Sequence, residues 1–358
     1  MNEDFVTRLG VQLRSAEERE LRRGLAARIA AAARWRVLTP PVLVGAAAAC
    51  AAALVIALVA SGTLRHHQPQ PLPAGRSLHV VVTGDFVSQG GWIESGFGSA
   101  WASDGSTGNL LRVDPNSGRV IARLRLGGPA SISTRAGAVW ATAGSRLVRI
   151  DPATNKIVAR IPVSGVPAGK FAALFEARGY IWLATYTELR RVDPRRNAID
   201  RVVPVESNSY AARGLVTDHE RLYVLRGDGV LLVLDGATGA RVSSLRLAPD
   251  EYPLGAANGA LMATHGREVV ARDVRTGRTL WRTNVDAQRF NDSFVAGDRL
   301  WIQVTDERTN RDREIGIDVR NGHVTGSATL TDFGVAGSAV VGDAVWVVTP
   351  GGRLMVVR

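Results

Sequence analysis

Ser99-Ala-Trp-Ala-Ser103, Asn109-Leu-Leu-Arg-Val-Asp-Pro115 and Val120-Ile-Ala-Arg-Leu-Arg-Leu126 return, nearly type for type, as Ala138-Val-Trp-Ala-Thr142, Arg146-Leu-Val-Arg-Ile-Asp-Pro152 and Ile157-Val-Ala-Arg-Ile-Pro162. Each run is short, rich in Val, Ile and Leu, and bounded by Gly or Pro. The unit therefore reads as successive antiparallel strands with no room for a helix.

The marker residue of the unit recurs as Trp101, Trp140, Trp182, Tyr223, Met262, Trp301 and Trp346, at intervals of 39, 42, 41, 39, 39 and 45 residues. That is the period of a four-stranded propeller blade. With strands lettered a to d from a central channel outward, the marker falls on strand b and the Asp ends strand c. The predicted fold is all-β: a seven-bladed β-propeller over residues 77–358, preceded by an N-terminal helix and a single transmembrane helix.

The Asp recurs at 114, 151, 193, 235, 273 and 318, followed by Gly118, Asn155, Asn197, Gly239, Gly277 and Gly322. An Asp that accepts hydrogen bonds from the next backbone amides, then a residue tolerating positive φ, is the chemistry of a tight hairpin between strands c and d. Six aspartates in register also bring calcium to mind, but each serves its own hairpin and the six lie apart around the ring, so no metal is expected. The seventh unit stops after strand c at Arg353–Arg358. Upstream, the lone strand Ser77–Thr83 matches the missing d position, and pairing it with the C-terminal strand closes the ring.

The Trp-Ala, Ile-Asp-Pro and Val-Ala-Arg-Ile-Pro-Val pattern resembles the YncE-type and surface-layer (YVTN) bacterial propellers. Ala271, Asp273, Thr276, Gly277 and Trp281 resemble the AxDxxTGxxxW docking repeat of pyrroloquinoline-quinone-like propellers. These resemblances imply fold far more than activity. Quinoprotein dehydrogenases of this repeat carry eight blades and a vicinal disulfide, whereas the only cysteine here is Cys50, so no cofactor is expected. Streptogramin-lyase-like propellers, with seven blades and a catalytic His, imply the alternative: an extracytoplasmic lyase or hydrolase. His79, His219, His265 and His323 fall at unrelated blade positions, and a His–acid pair at the channel mouth would favour that alternative.

Residues 1–41 read as an amphipathic cytoplasmic helix, with Phe5, Leu9 and Leu13 at fourfold spacing. Val42–Ala60 is uncharged for 19 residues and extends to Leu64, long enough to cross a bilayer. Arg28, Arg34 and Arg36 precede it, so the expected protein is single-pass in the cell membrane, with its N-terminus cytoplasmic and its propeller extracytoplasmic. A cleavable signal peptide is the rival reading. Residues 65–76 form a Pro-rich linker. Of the net charge of +11, the propeller carries 34 basic residues against 28 acidic ones, without aromatics interleaved as a nucleic-acid groove would need.

In six blades the d-to-a loop carries an aromatic: Phe86, Phe171, Tyr210, Tyr252, Phe290 and Phe333. The sixth blade also inserts a charged b-to-c stretch, Asp306–Glu314, containing Arg308 and Arg311. Those loops share the face pointing away from the membrane. The expected role is non-enzymatic binding or scaffolding of a protein, peptide or cell-wall ligand there; the blander readings are blade packing and a solvated hairpin tip.

Overall fold

The computed structural model describes residues 76–85, 87, 91–127, 131–164, 173–185, 187–205, 214–306, 309–330 and 334–358. The expected helix, membrane span and most of the linker lie outside these residues. No helix among the described residues is long and apolar enough to cross a membrane.

Seven antiparallel sheets follow one another around the ring. Blade one consists of Ile93–Gly96, Ser99–Asp104, Asn109–Val113 and Val120–Arg125, ordered a to d as the sequence predicts. Blades two to five repeat it. Blade six has the longest inner strands, Ala287–Ala296 and Arg299–Asp306, followed by Asp312–Asp318 and Val324–Thr329. Blade seven is built from Gly337–Val341, Ala344–Val348 and Arg353–Val357, and its outermost strand is Val80–Asp85, antiparallel to Arg353–Val357 with Val80 opposite Val357.

That outermost strand begins three residues later than Ser77. Arg76–Ser77 instead run parallel to the outer strand of blade six, opposite Gly326 and Ser327. Leu78 N–H then donates to Ser327 O at 3.0 Å, and His79 exchanges backbone hydrogen bonds with Arg358. The entering chain thus ties blade six before completing blade seven.

The periodic marker has a physical reason. The described residues form seven apolar clusters, each filling the wedge between consecutive blades and each holding one marker residue. All seven markers are buried; shielding a side chain of that size contributes roughly 1.5–3 kcal/mol. In three early blades an Arg on strand c reaches into the next blade's c-to-d hairpin. Arg112 donates to Pro152 O and Asn155 Oδ1, Arg149 to Pro194 O and Asn197 Oδ1, and Arg191 to Ala237 O. Arg112 and Arg149 also lie over the Trp101 and Trp140 rings.

The hairpin aspartates behave as the sequence predicts. Asp114, Asp151, Asp193, Asp235, Asp273 and Asp318 each accept the N–H two residues on. The six following Gly or Asn residues all have positive φ. At Gly322 the constraint is doubled, because a Cβ there would sit 2.6 Å from the Trp281 ring. Trp281, the last residue of the docking repeat, donates its indole N–H across that close approach to Val319 O at 3.0 Å.

Candidate functional site: the central channel and its mouth

The first strands of all seven blades enclose a cavity of about 2330 Å³ that is open to solvent. Hydroxyl groups stitch its wall. Thr134 donates to Ser95 O, Thr217 to Glu176 O, Ser293 to Leu254 O and Ser338 to Asp292 Oδ2, each joining neighbouring blades. Charged groups face the lumen from several blades: Glu94, Arg135, Glu176, His219 and Asp292. Burial in the wall pushes the Glu94 carboxyl up to about 7, with Arg135 opposing the shift and Asp292 adding to it. The Asp292 carboxyl is likewise raised by burial, against hydrogen bonds from Ser338 and Ser293.

Among the described residues, histidine stands beside a carboxylate at two places, on opposite faces of the ring. His219, in the a-to-b turn of blade four, lies with Nδ1 2.7 Å from Glu176 Oε2. Glu176 also accepts the Gly179 N–H at 2.7 Å. Burial pushes its carboxyl up, but these bonds outweigh the burial and hold it below the ordinary carboxylate range. The group is a fixed anion pinning two turns, His219 itself having φ 68°. On the other face His265 Nδ1 stands 3.4 Å from Glu251 and 3.5 Å from Asp250. Glu251 is occupied by Arg272 and by the Ala248 N–H. Among the described residues, no group of three or more His, Cys, Asp or Glu is placed to hold a metal ion.

Of the residues expected at the mouth, Tyr252 is 57% exposed and lines the cavity. Phe290 also lines it but packs against the apolar cluster between blades five and six. Phe86, Phe171, Tyr210, Phe333 and Arg308 lie outside the described residues. The charged stretch of blade six is shorter than the sequence suggests, because strands b and c run on to Asp306 and back from Asp312. Asp306 is buried, paired with Arg313 at 2.8 Å and accepting the Thr309 N–H. Arg311 is exposed, whereas Glu314, expected in the loop, is inside strand c with no exposure at all.

The sequence reading missed Trp92, 45% exposed at the same mouth. Trp92 N–H donates to Ser103 Oγ at 2.8 Å, and Tyr252 N–H donates to Thr264 Oγ1 at 2.9 Å. The two aromatics hold one position in two blades, each seated by a strand-b hydroxyl two residues beyond the marker. That hydroxyl was the available signal: Ser103, Thr142 and Thr264 recur at that spacing, and Thr142 accepts the Ser131 N–H likewise.

Seven radial sheets, Asp-Gly hairpins and a Trp that locks one blade to the next define a propeller built from pyrroloquinoline-quinone-type repeats. The chain belongs to the family described as outer membrane protein assembly factor BamB, which it matches over residues 106–357. Among solved structures it is similar to BamB from Moraxella catarrhalis, with 14% identity, 79% of this chain and 98% of that one covered, and a TM-score of 0.53. It is also similar to the hydrazine synthase of Kuenenia stuttgartiensis, with 12% identity, coverages of 76% and 96%, and a TM-score of 0.59. At such identities the likeness is one of fold. No curated protein matches the chain.

Proposed function

We propose that this protein is a membrane-anchored, extracytoplasmic propeller that binds a protein partner as a non-enzymatic scaffold. The observation that carries the reading is the open channel mouth, where Trp92 and Tyr252 stand exposed at equivalent positions of two blades. Large aromatic rings fixed by backbone hydrogen bonds lose little entropy on binding and serve well as interface anchors. The family's description as an assembly factor supports a protein partner rather than a small substrate. Anchoring rests on the uncharged run Val42–Ala60 and the arginines before it.

A photo-crosslinking residue placed in the full-length, membrane-bound protein tests this. From positions 92 and 252 we expect a discrete protein adduct; from position 153, exposed on the opposite face in a c-to-d hairpin, we expect none. The double variant Trp92→Ala/Tyr252→Ala should lose at least 90% of an adduct formed from a neighbouring mouth position, with its melting temperature unchanged. Equal adducts from both faces, or none from the mouth, would refute the proposal. Phe290→Ala is a poor probe of binding, because its ring belongs to the blade five–six core.

A further inference from the structure

The wedge between blades six and seven departs from the other six. In the antiparallel register Asp292 of strand a lies opposite Gln303 of strand b, and Gln303 opposite Glu314 of strand c. Directly opposed residues share one face of a sheet, about 4.5–5.5 Å apart. These three therefore form a single row running from the channel lining into the wedge. The position of Glu314 is held elsewhere by Leu110, Leu147, Leu189, Leu231, Val269 and Leu354, each opposite the residue two beyond the marker. Each of those six belongs to the apolar cluster of its own wedge. Blade six alone replaces this core aliphatic with an acid.

Glu314 is 0% exposed and Gln303 1%. Among the described residues, both carboxylate oxygens of Glu314 and both amide atoms of Gln303 lack a hydrogen-bond partner. The charged group among them that acts on Glu314 is Asp292, of like sign. A buried, unpaired carboxylate is strongly destabilising unless it is neutralised by a proton or a counter-ion.

We propose that the Asp292–Gln303–Glu314 row is a binding site for a hard divalent cation, calcium in particular, entered from the central channel at Asp292. The donors are all oxygen: a carboxylate with both oxygens free, an amide carbonyl, and a second carboxylate at the cavity wall. Oxygen sets of irregular geometry that include amide carbonyls and a bidentate carboxylate suit calcium, whereas magnesium demands near-ideal octahedra. Two carboxylates balance its charge. The amide carbonyl fills the place that a third acid takes in a carboxylate-only site. Bound there, the ion would bridge all three inner strands of blade six at its seam with blade seven.

The test uses the full-length protein in detergent, titrated with calcium chloride after chelator treatment. Calorimetry should show one site per chain, and calcium should raise the melting temperature by several degrees. Glu314→Gln should weaken binding at least tenfold. Glu314→Leu, which installs the residue of the other wedges, should fold, melt no lower than the chelated wild type, and show no response to calcium. An unchanged calcium response in both variants would place the ion elsewhere and overturn the proposal. So would a wild type that ignores calcium; if its stability then falls as pH rises above the ordinary glutamate range and Glu314→Gln removes that fall, Glu314 is a buried neutral acid instead.

Discussion

A carboxylate that accepts two or three donors in its own turn is cheaper to ionise in the folded chain than in the unfolded one. Asp114, Asp151, Asp235 and Asp273 are all held low this way by hydrogen bonds within the hairpin, and Asp318, aided chiefly by Arg320, is lowered to about 2. Because the folded pKa lies below the unfolded value, the stabilisation is present above pH 4 and is lost as pH falls through about 2. Asp318→Asn keeps a turn-forming side chain but removes the charge. Its melting temperature should lie below wild type at pH 7, and the gap should close as the two are compared at pH 4, 3 and 2. These aspartates were legible in the sequence because all their partners lie within three residues. Glu314 was not. It sits in a run of charged residues, and only the cross-strand register reveals that the run is half strand and half loop. Glu94 and Asp292 were equally hidden, since Arg135 beside the one and Ser338 bonded to the other belong to neighbouring blades.

At the level of the strand, the outer edge of each blade carries a device that the repeat length alone does not disclose. The register between strands c and d slips by one residue in blades one to six, leaving Ile121, Val158, Asp200, Val242, Leu280 and Thr325 as bulges. Four of these are aliphatic and more than half exposed. An unpaired outer strand invites another sheet, and a bulge twists it away from that pairing. The exposed side chain itself should matter little, so Leu280→Lys should stay within about 0.5 kcal/mol of wild type in denaturant unfolding. Trp281→Ala, one residue on, is different: it takes a buried ring out of the blade five–six wedge and removes its bond to Val319. That substitution should cost about 3 kcal/mol or more, as does the loss of a buried Trp. Strand order and marker position were readable from spacing because one large buried residue recurs on strand b of every blade. The bulges were not, because an extra residue in an edge strand leaves the alternation of its neighbours intact.

Across the ring, all seven wedges depend on the circle being closed by Val80–Asp85 against Arg353–Val357, with Arg76–Ser77 strapped to blade six. Deleting residues 76–85 should expose two strand edges and shift the protein from monodisperse to aggregated in sedimentation, whereas deleting residues 2–36 should leave propeller melting unchanged. The number of blades was legible from sequence because the marker repeats seven times. Which aromatics stand exposed at the mouth was not, because the repeat treats every d-to-a loop alike and only exposure separates Tyr252 from Phe290. Closure also sets a timetable. Val80 is made early and its partner Val357 late, so the first strand must wait for a segment 277 residues downstream. At ordinary elongation rates that wait lasts roughly 15–55 seconds. By its end blades one to six stand with the five wedges between them filled while the circle gapes at one seam, and any helper that shields nascent chains has most to do there, until Arg353–Val357 is in place.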